Sequence, residues 1–338
     1  MLIAVAVVLV AIIGSIVWER AEKAPAKDRD GMIVSLDGRC GVIGRDGKWI
    51  INPQFDGLWV FEEGLAPARE GELWGYVDGK GKWVIPARYA AAYLFSDNGL
   101  AAVDTGNGAG FIDKKGKMVV EPRFEATEDF ADNGLAAASE AGLWGYVDKT
   151  GKWIIPAQFD EASRFSDGLA AIRVGERWGY VNKEGHVVIN PQFSAAAPFD
   201  DDKAQAALDG RVGWIDRKGV WIVNPQFAQA GRTFDDDLAP ALQGERWGFV
   251  GKDGGWTVNP QFDQVGWFED GLAPAALDGR WGFIDRRGKW VISPQFDDAG
   301  NFEDGLALAR LGSKWGFVDR KGKWAINPQF DGTFQDCM

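Results

Sequence analysis

The sequence predicts an all-β repeat protein: an open, twisted β-solenoid of nine three-stranded units of about 34 residues, following one N-terminal hydrophobic helix. Three observations predict it. The Gly of a Trp-Gly-like step recurs at Gly41, Gly75, Gly110, Gly145, Gly179, Gly213, Gly248, Gly282 and Gly316, at intervals of 34 or 35 residues. Within each unit apolar residues alternate with period two rather than 3.6. The composition, with 45 Gly, 17 Trp and 21 Phe in 338 residues and 46% hydrophobic residues, belongs to a chain that buries a core. A closed nine-bladed, propeller-like ring is the alternative. Propeller blades usually take four strands and about 40 to 45 residues, and rings typically hold about 4 to 8 blades, so the open stack is the expectation.

Taken in order, residues 1–18 read as an N-terminal transmembrane anchor or uncleaved signal. Leu2 to Trp18 is uncharged and reaches roughly 26 Å as a helix, just short of the ~30 Å hydrocarbon core. Residues 19–29 are a polar tether. Arg20, Lys23, Lys27 and Arg29 follow the span, so the positive-inside rule taken alone would hold that side in the cytoplasm; the expectation is nevertheless a repeat domain that is periplasmic or extracellular. Residues 30–338 form the array.

In each unit Trp74-Gly75-Tyr76-Val77 and Trp83-Val84-Ile85, or their equivalents, flank a turn such as Asp78-Gly79-Lys80-Gly81. Pairing them as a hairpin sets Tyr76 opposite Trp83 and Trp74 opposite Ile85, giving one aromatic face. Gly75, Val77 and Val84 form the other, where a second layer approaches. Leu65-Ala66-Pro67-Ala68 supplies the third strand. Proline, at Pro53, Pro86, Pro122, Pro156, Pro191, Pro225, Pro260, Pro294 and Pro328, lacks the ladder N–H and ends the hairpin's second strand. The third unit has Ala109 and Met118 where others have Trp, which marks it as the weak joint.

Trp144-Gly145-Tyr146-Val147-Asp148 followed by Gly151-Lys152-Trp153-Ile154-Ile155, repeated nine times, resembles the bacterial WG (KWG) repeat. The spacing is also faintly similar to the hairpin repeats of choline-binding cell-wall modules. The WG resemblance implies a β-rich repeat, often found with export signals or fused domains. It carries no catalytic residue and no ligand.

The residues themselves point away from catalysis. A net charge of −12 argues against nucleic acid as partner. One His, His186, stands without a second His or a nearby Cys, so neither a metal nor a triad is built on it. The recurring Asp78, Asp113, Asp148, Asp216, Asp285 and Asp319 read as turn formers. The runs Asp200-Asp201-Asp202 and Asp235-Asp236-Asp237 have the composition of a calcium loop, but elsewhere that slot holds Phe-Ser-Asp-Gly or Phe-Glu-Asp-Gly, so a solvated loop is expected. Cys40 and Cys337 lie far apart in an open stack, free or paired between molecules; in a closed ring they meet. Most Trp residues belong to the repeat, whereas Trp59 and Trp267 fall outside it and are the expected ligand-binding residues. No cofactor and no metal are expected. The functional expectation is a non-enzymatic, envelope-associated scaffold contacting a protein or a cell-wall polymer, held to the membrane by its N-terminal helix. The alternative is a carbohydrate-binding or carbohydrate-active module using exposed aromatics and acidic pairs.

Overall fold

The computed structural model describes residues 31–338. The anchor, residues 1–18, and the tether, residues 19–29, lie outside the described residues. Thirty-six strands make nine four-stranded antiparallel sheets, one per repeat. The ninth does not end the array. The C-terminal Gly332–Thr333 pairs with Met32–Leu36, Val34 against Thr333 and Ser35 against Gly332, so the first sheet contains both ends of the described chain. The array is therefore a closed nine-bladed propeller, and the open solenoid expected from the sequence is corrected. Cys40 and Cys337, 297 residues apart with Cα atoms 5.8 Å apart, form a disulfide beside this junction. Four strands fit into 34 residues because one of them is only two residues long. The sole helical turn among the described residues is the 3-10 segment Phe334–Cys337, and no helix among them is long and apolar enough to cross a membrane.

The second blade shows the plan. From one edge to the other run Gly57–Leu58, Leu65–Glu70, Leu73–Asp78 and Trp83–Tyr89. The long last strand exposes alternate residues, among them Val84, and forms the rim. The two-residue strand lies at the other edge, about the axis, where nine sheets converge and little length fits. The second strand is buried on both faces, which explains its run of small residues, Leu-Ala-Pro-Ala.

The hairpin register differs from the expected one. Trp74 pairs with Tyr89, Tyr76 with Ile85 and Val77 with Trp83, with irregularities between successive pairs. The rim strand thus has surplus residues, and it bulges across its partner. The bulge passes directly over Gly75: a Cβ there would fall under 3.0 Å from the Ile85 carbonyl oxygen and the Ala87 nitrogen. The same holds at Gly145, Gly179 and the other Trp-Gly glycines. Proline does not end the strand. Pro86 sits within Trp83–Tyr89, where an edge strand at a bulge needs no ladder N–H from it. Val84, expected between layers, points to solvent because the bulge shifts the alternation.

Neighbouring blades are joined in three ways. The Trp of one rim strand meets the Phe of the preceding one edge-on, as in Phe55–Trp83 at 5.5 Å and Phe262–Trp290 at 5.5 Å, and Trp49–Phe330 at 5.9 Å repeats the contact across the closure. Buried tyrosines donate to the next blade, Tyr76 to the Tyr93 carbonyl at 2.8 Å and Tyr146 to that of Ser163 at 2.8 Å. Turn cations reach the acidic loop of the preceding blade, as Lys114 to Glu63 at 2.8 Å and Arg45 to Asp304 at 2.6 Å. The joint before the third blade lacks the Trp pair, yet Met118 packs beside Tyr89. Arg88 lies 5.0 Å over that ring and donates to the Gly116 carbonyl at 2.6 Å.

Candidate functional site

The aromatic, glycine and turn columns of the repeat serve the ring, whereas the short connection that leaves each inner strand varies from blade to blade. Between that strand and the Phe of the loop Phe-x-Asp-Gly lie Trp59-Val60, Tyr93-Leu94, Glu128-Asp129, Ser163-Arg164, Ala197-Pro198, Gly231-Arg232-Thr233 and Gly266-Trp267, and the ninth blade has Gly300-Asn301 there, within a longer strand, Asp298–Glu303. Aromatic, acidic, basic and small residues alternate here without a repeat constraint. These residues surround the axis on one side of the ring, so this is where the symmetric scaffold presents an asymmetric surface.

Trp59 and Trp267 both occur in this column, on the second and eighth blades, and both are half-buried. The Trp59 ring stands edge-on to Trp74, centroids 6.3 Å apart, and its indole nitrogen is buried without a hydrogen-bond partner. The Trp267 backbone N–H donates to Asn301 Oδ1 of the next blade at 3.2 Å.

Sequence reasoning missed the polar cluster at the fourth and fifth blades. Burial pushes the Glu128 carboxyl up to about 7, against the opposing pull of Arg164. Arg164 also donates to the Phe130 carbonyl at 3.1 Å and lies 3.8 Å from Asp132. On the neighbouring third blade, burial first and then the charges of Asp129, Asp104 and Glu128 raise the Tyr93 hydroxyl above its ordinary value. The signal that finds these residues is column-wise comparison of the nine units, in which this slot stands out by failing to repeat.

The other sequence candidates have structural places. Asp78 Oδ1 accepts the backbone N–H groups of Lys80 at 2.9 Å and Lys82 at 3.0 Å, and the equivalent aspartates do likewise. His186 is exposed, and its backbone N–H donates to Asn182 Oδ1 at 2.9 Å. In the two Asp runs, Asp201, Asp202, Asp236 and Asp237 all have positive φ, from 49° to 64°. Lys252 lies 2.8 Å from Asp237 and 3.8 Å from Asp201, and Arg217 lies 3.0 Å from Asp202. Cationic side chains therefore occupy the carboxylates a calcium ion would need. No group of three or more His, Cys, Asp or Glu among the described residues is arranged to hold a metal.

Nine consecutive segments, 41–74, 74–108, 110–144, 144–178, 178–211, 213–247, 247–281, 281–315 and 315–335, match the family model described as WG containing repeat. No curated protein matches the chain in sequence. Among solved structures, a eukaryotic initiation factor superposes with a TM-score of 0.65 at 9% identity, over 90% of this chain and 96% of its own. The dihydro-heme d1 dehydrogenase NirN gives 0.52 at 11% identity, over 94% and 78%. At such identities the likeness is one of fold.

Proposed function

Because this chain belongs to the family of WG-containing repeats, nine of which close into one ring, we propose that it is a non-enzymatic scaffold of the bacterial envelope that holds a protein or cell-wall polymer at the mouth of its axis. The observation that carries the reading is the variable connection after the inner strand, which contains Trp59, Tyr93, Glu128, Asp129, Arg164, Arg232 and Trp267. Aromatic residues with an apolar body and a polar tip are the usual anchors of protein recognition.

Two features support a periplasmic or extracellular domain. The uncharged run Leu2 to Trp18 has the length of a thin membrane anchor, and the Cys40–Cys337 disulfide belongs to an oxidising compartment. Protease treatment of intact and permeabilised cells checks the location: digestion of the ring while the inner membrane is still sealed, on intact cells if it is extracellular or once the outer barrier is opened if it is periplasmic, is the expected pattern. Degradation only after the inner membrane is breached would place the ring in the cytoplasm.

Binding is checked by capture from envelope extract and on purified peptidoglycan, with Trp59→Ala and Trp267→Ala beside the parent. The reading expects a protein or glycan retained by the parent and lost from the variants. Retention that survives both substitutions moves recognition elsewhere on the ring, and turnover of any glycan overturns the non-enzymatic assignment.

A further inference from the structure

The repeat supplies its own comparison for one feature of the second blade. In the fifth blade the inner-strand residue Glu161 pairs across the sheet with Arg173, whose Nη2 donates to its carboxylate at 2.6 Å. The ninth blade has Asp298 opposite Arg310 in the same register, at 3.6 Å. In the second blade that register holds Gly57 opposite Arg69. Arg69 adopts the pose of Arg310: its guanidinium carbon lies 5.6 Å from the Trp74 ring centroid, as that of Arg310 does from Trp315, and its Nη2 donates to the preceding Asp56 carbonyl at 2.8 Å. The carboxylate is what is missing.

Two donors are left over at this spot. Arg69 Nε and Trp59 Nε1 are both buried without a hydrogen-bond partner, and both side chains abut the Trp74 ring. Burying a donor without an acceptor is costly, and a half-buried guanidinium without a counter-charge attracts an acceptor carrying negative charge. Gly57 is paired with Arg69, and the ladder runs on past the strand's end, where the Trp59 N–H donates to the Pro67 carbonyl at 2.9 Å, so Gly57, Trp59 and Arg69 lie on one face of the sheet.

We infer that the second blade takes a carboxylate from outside the chain, bound at Arg69 with the Trp59 indole N–H as second donor and the Trp74 ring as a wall. This rests on the reading of Trp59 as a recognition residue and gives that reading its chemistry. The incoming group takes beside Gly57 the place that the Glu161 carboxylate takes in the fifth blade; a Cβ added at Gly57 would lie 2.9 Å from Arg69 Nε and 3.0 Å from the Trp74 ring, so the Arg69 side chain, which fills that place, moves aside to admit the group. A small free carboxylate and an acidic side chain of a protein partner share that chemistry.

The test uses the full chain labelled with 15N at the tryptophan indoles, the Trp59 signal being the one lost in Trp59→Phe. Sodium benzoate represents the free carboxylate, an N-acetylated, C-amidated peptide with a single Asp represents the side chain, and benzamide is the neutral control. A saturable shift of the Trp59 signal with either carboxylate and none with benzamide is expected. Tighter binding of benzoate identifies a small molecule as the source, and tighter binding of the peptide identifies a protein. Arg69→Gln should weaken the effect about tenfold or more, and Gly57→Glu, which supplies the carboxylate from within as in the fifth blade, should leave the signal insensitive to both. No shift up to ~50 mM, well above the millimolar range of a single charged contact, an equal shift with benzamide, or undiminished binding by Arg69→Gln overturns the inference. Capture of a partner undiminished in Arg69→Gln sinks the carboxylate site and spares the scaffold. Carboxylate binding with no partner captured does the reverse.

Discussion

Gly75 and its eight counterparts are the residues on which the hairpin depends, and their reason is proximity. Gly75 has no positive φ; it is the bulged rim strand lying over its α-carbon that excludes a side chain. Gly75→Ala should therefore cost about 1–3 kcal/mol, as overpacking does, measured by denaturant unfolding. An exposed turn position such as Gly79, where an added Cβ meets nothing within 4 Å, is the control and should change little. The sequence makes the close approach at Trp-Gly readable but not its cause, because a bulge leaves no mark on period-two alternation. Glu128 makes a second prediction. Its carboxyl is held near 7 in the folded state against 4.5 for a solvated glutamate. A raised pKa means the folded protein prefers the protonated form, so its stability is full below about pH 4.5 and is lost as pH rises through about 7. Glu128→Gln should match the parent at pH 4 and exceed it at pH 8 by on the order of 1–3 kcal/mol. A variant no more stable than the parent at pH 8 would show that Glu128 is solvated.

At the scale of the element, the hairpin and its turn were legible because Asp, Gly and the flanking aromatics each have a local reason to be there. The inner strand was not. Two residues such as Ala91–Ala92 or Gln229–Ala230 carry no period and no propensity signal, and only the neighbouring strand makes them a strand. Their brevity also explains how four strands occupy so short a repeat. The joints between blades make a paired prediction. Trp153 meets Phe124 edge-on at 5.5 Å, whereas the next blade places the exposed Val187 where that Trp would be. Trp153→Val should destabilise by about 1–3 kcal/mol through lost packing. Val187→Trp should add about 0.5–1.5 kcal/mol by restoring the pair with Phe159. Opposite midpoint shifts at constant m-value, the larger from Trp153→Val, would support this, and a loss from both would show that the joints are not interchangeable. The third unit is packed and stitched by Arg88, so missing Trp residues did not translate into a missing contact.

For the whole molecule, closure was the property the sequence left open. Curvature accumulates from small rotations at nine joints, and no single residue states the sum; the conditional reading of Cys40 and Cys337 came nearest, since only a ring brings them together. The intact mass of the non-reduced protein should fall two hydrogens below that of the reduced chain. Cys337→Ser should lower stability by on the order of 2–4 kcal/mol without abolishing the ring, because the Val34–Thr333 and Ser35–Gly332 pairs and the Trp49–Phe330 contact remain. Loss of all β structure in that variant would mean that the disulfide, and not the strand exchange, holds the ring shut.

The shared blade also sets an order of events. Synthesis proceeds from Met32 toward Thr333, so the blade begun first is the last to be completed, and its Val34–Ser35 edge waits for residues made almost 300 positions later. Throughout that interval an unpaired edge is open to other chains, and a ribosome that stops early releases a ring with a gap. The cell thus meets every truncated copy as an exposed strand and every finished one as a sealed ring. Quality control acting on that difference would need to inspect only one of the nine blades.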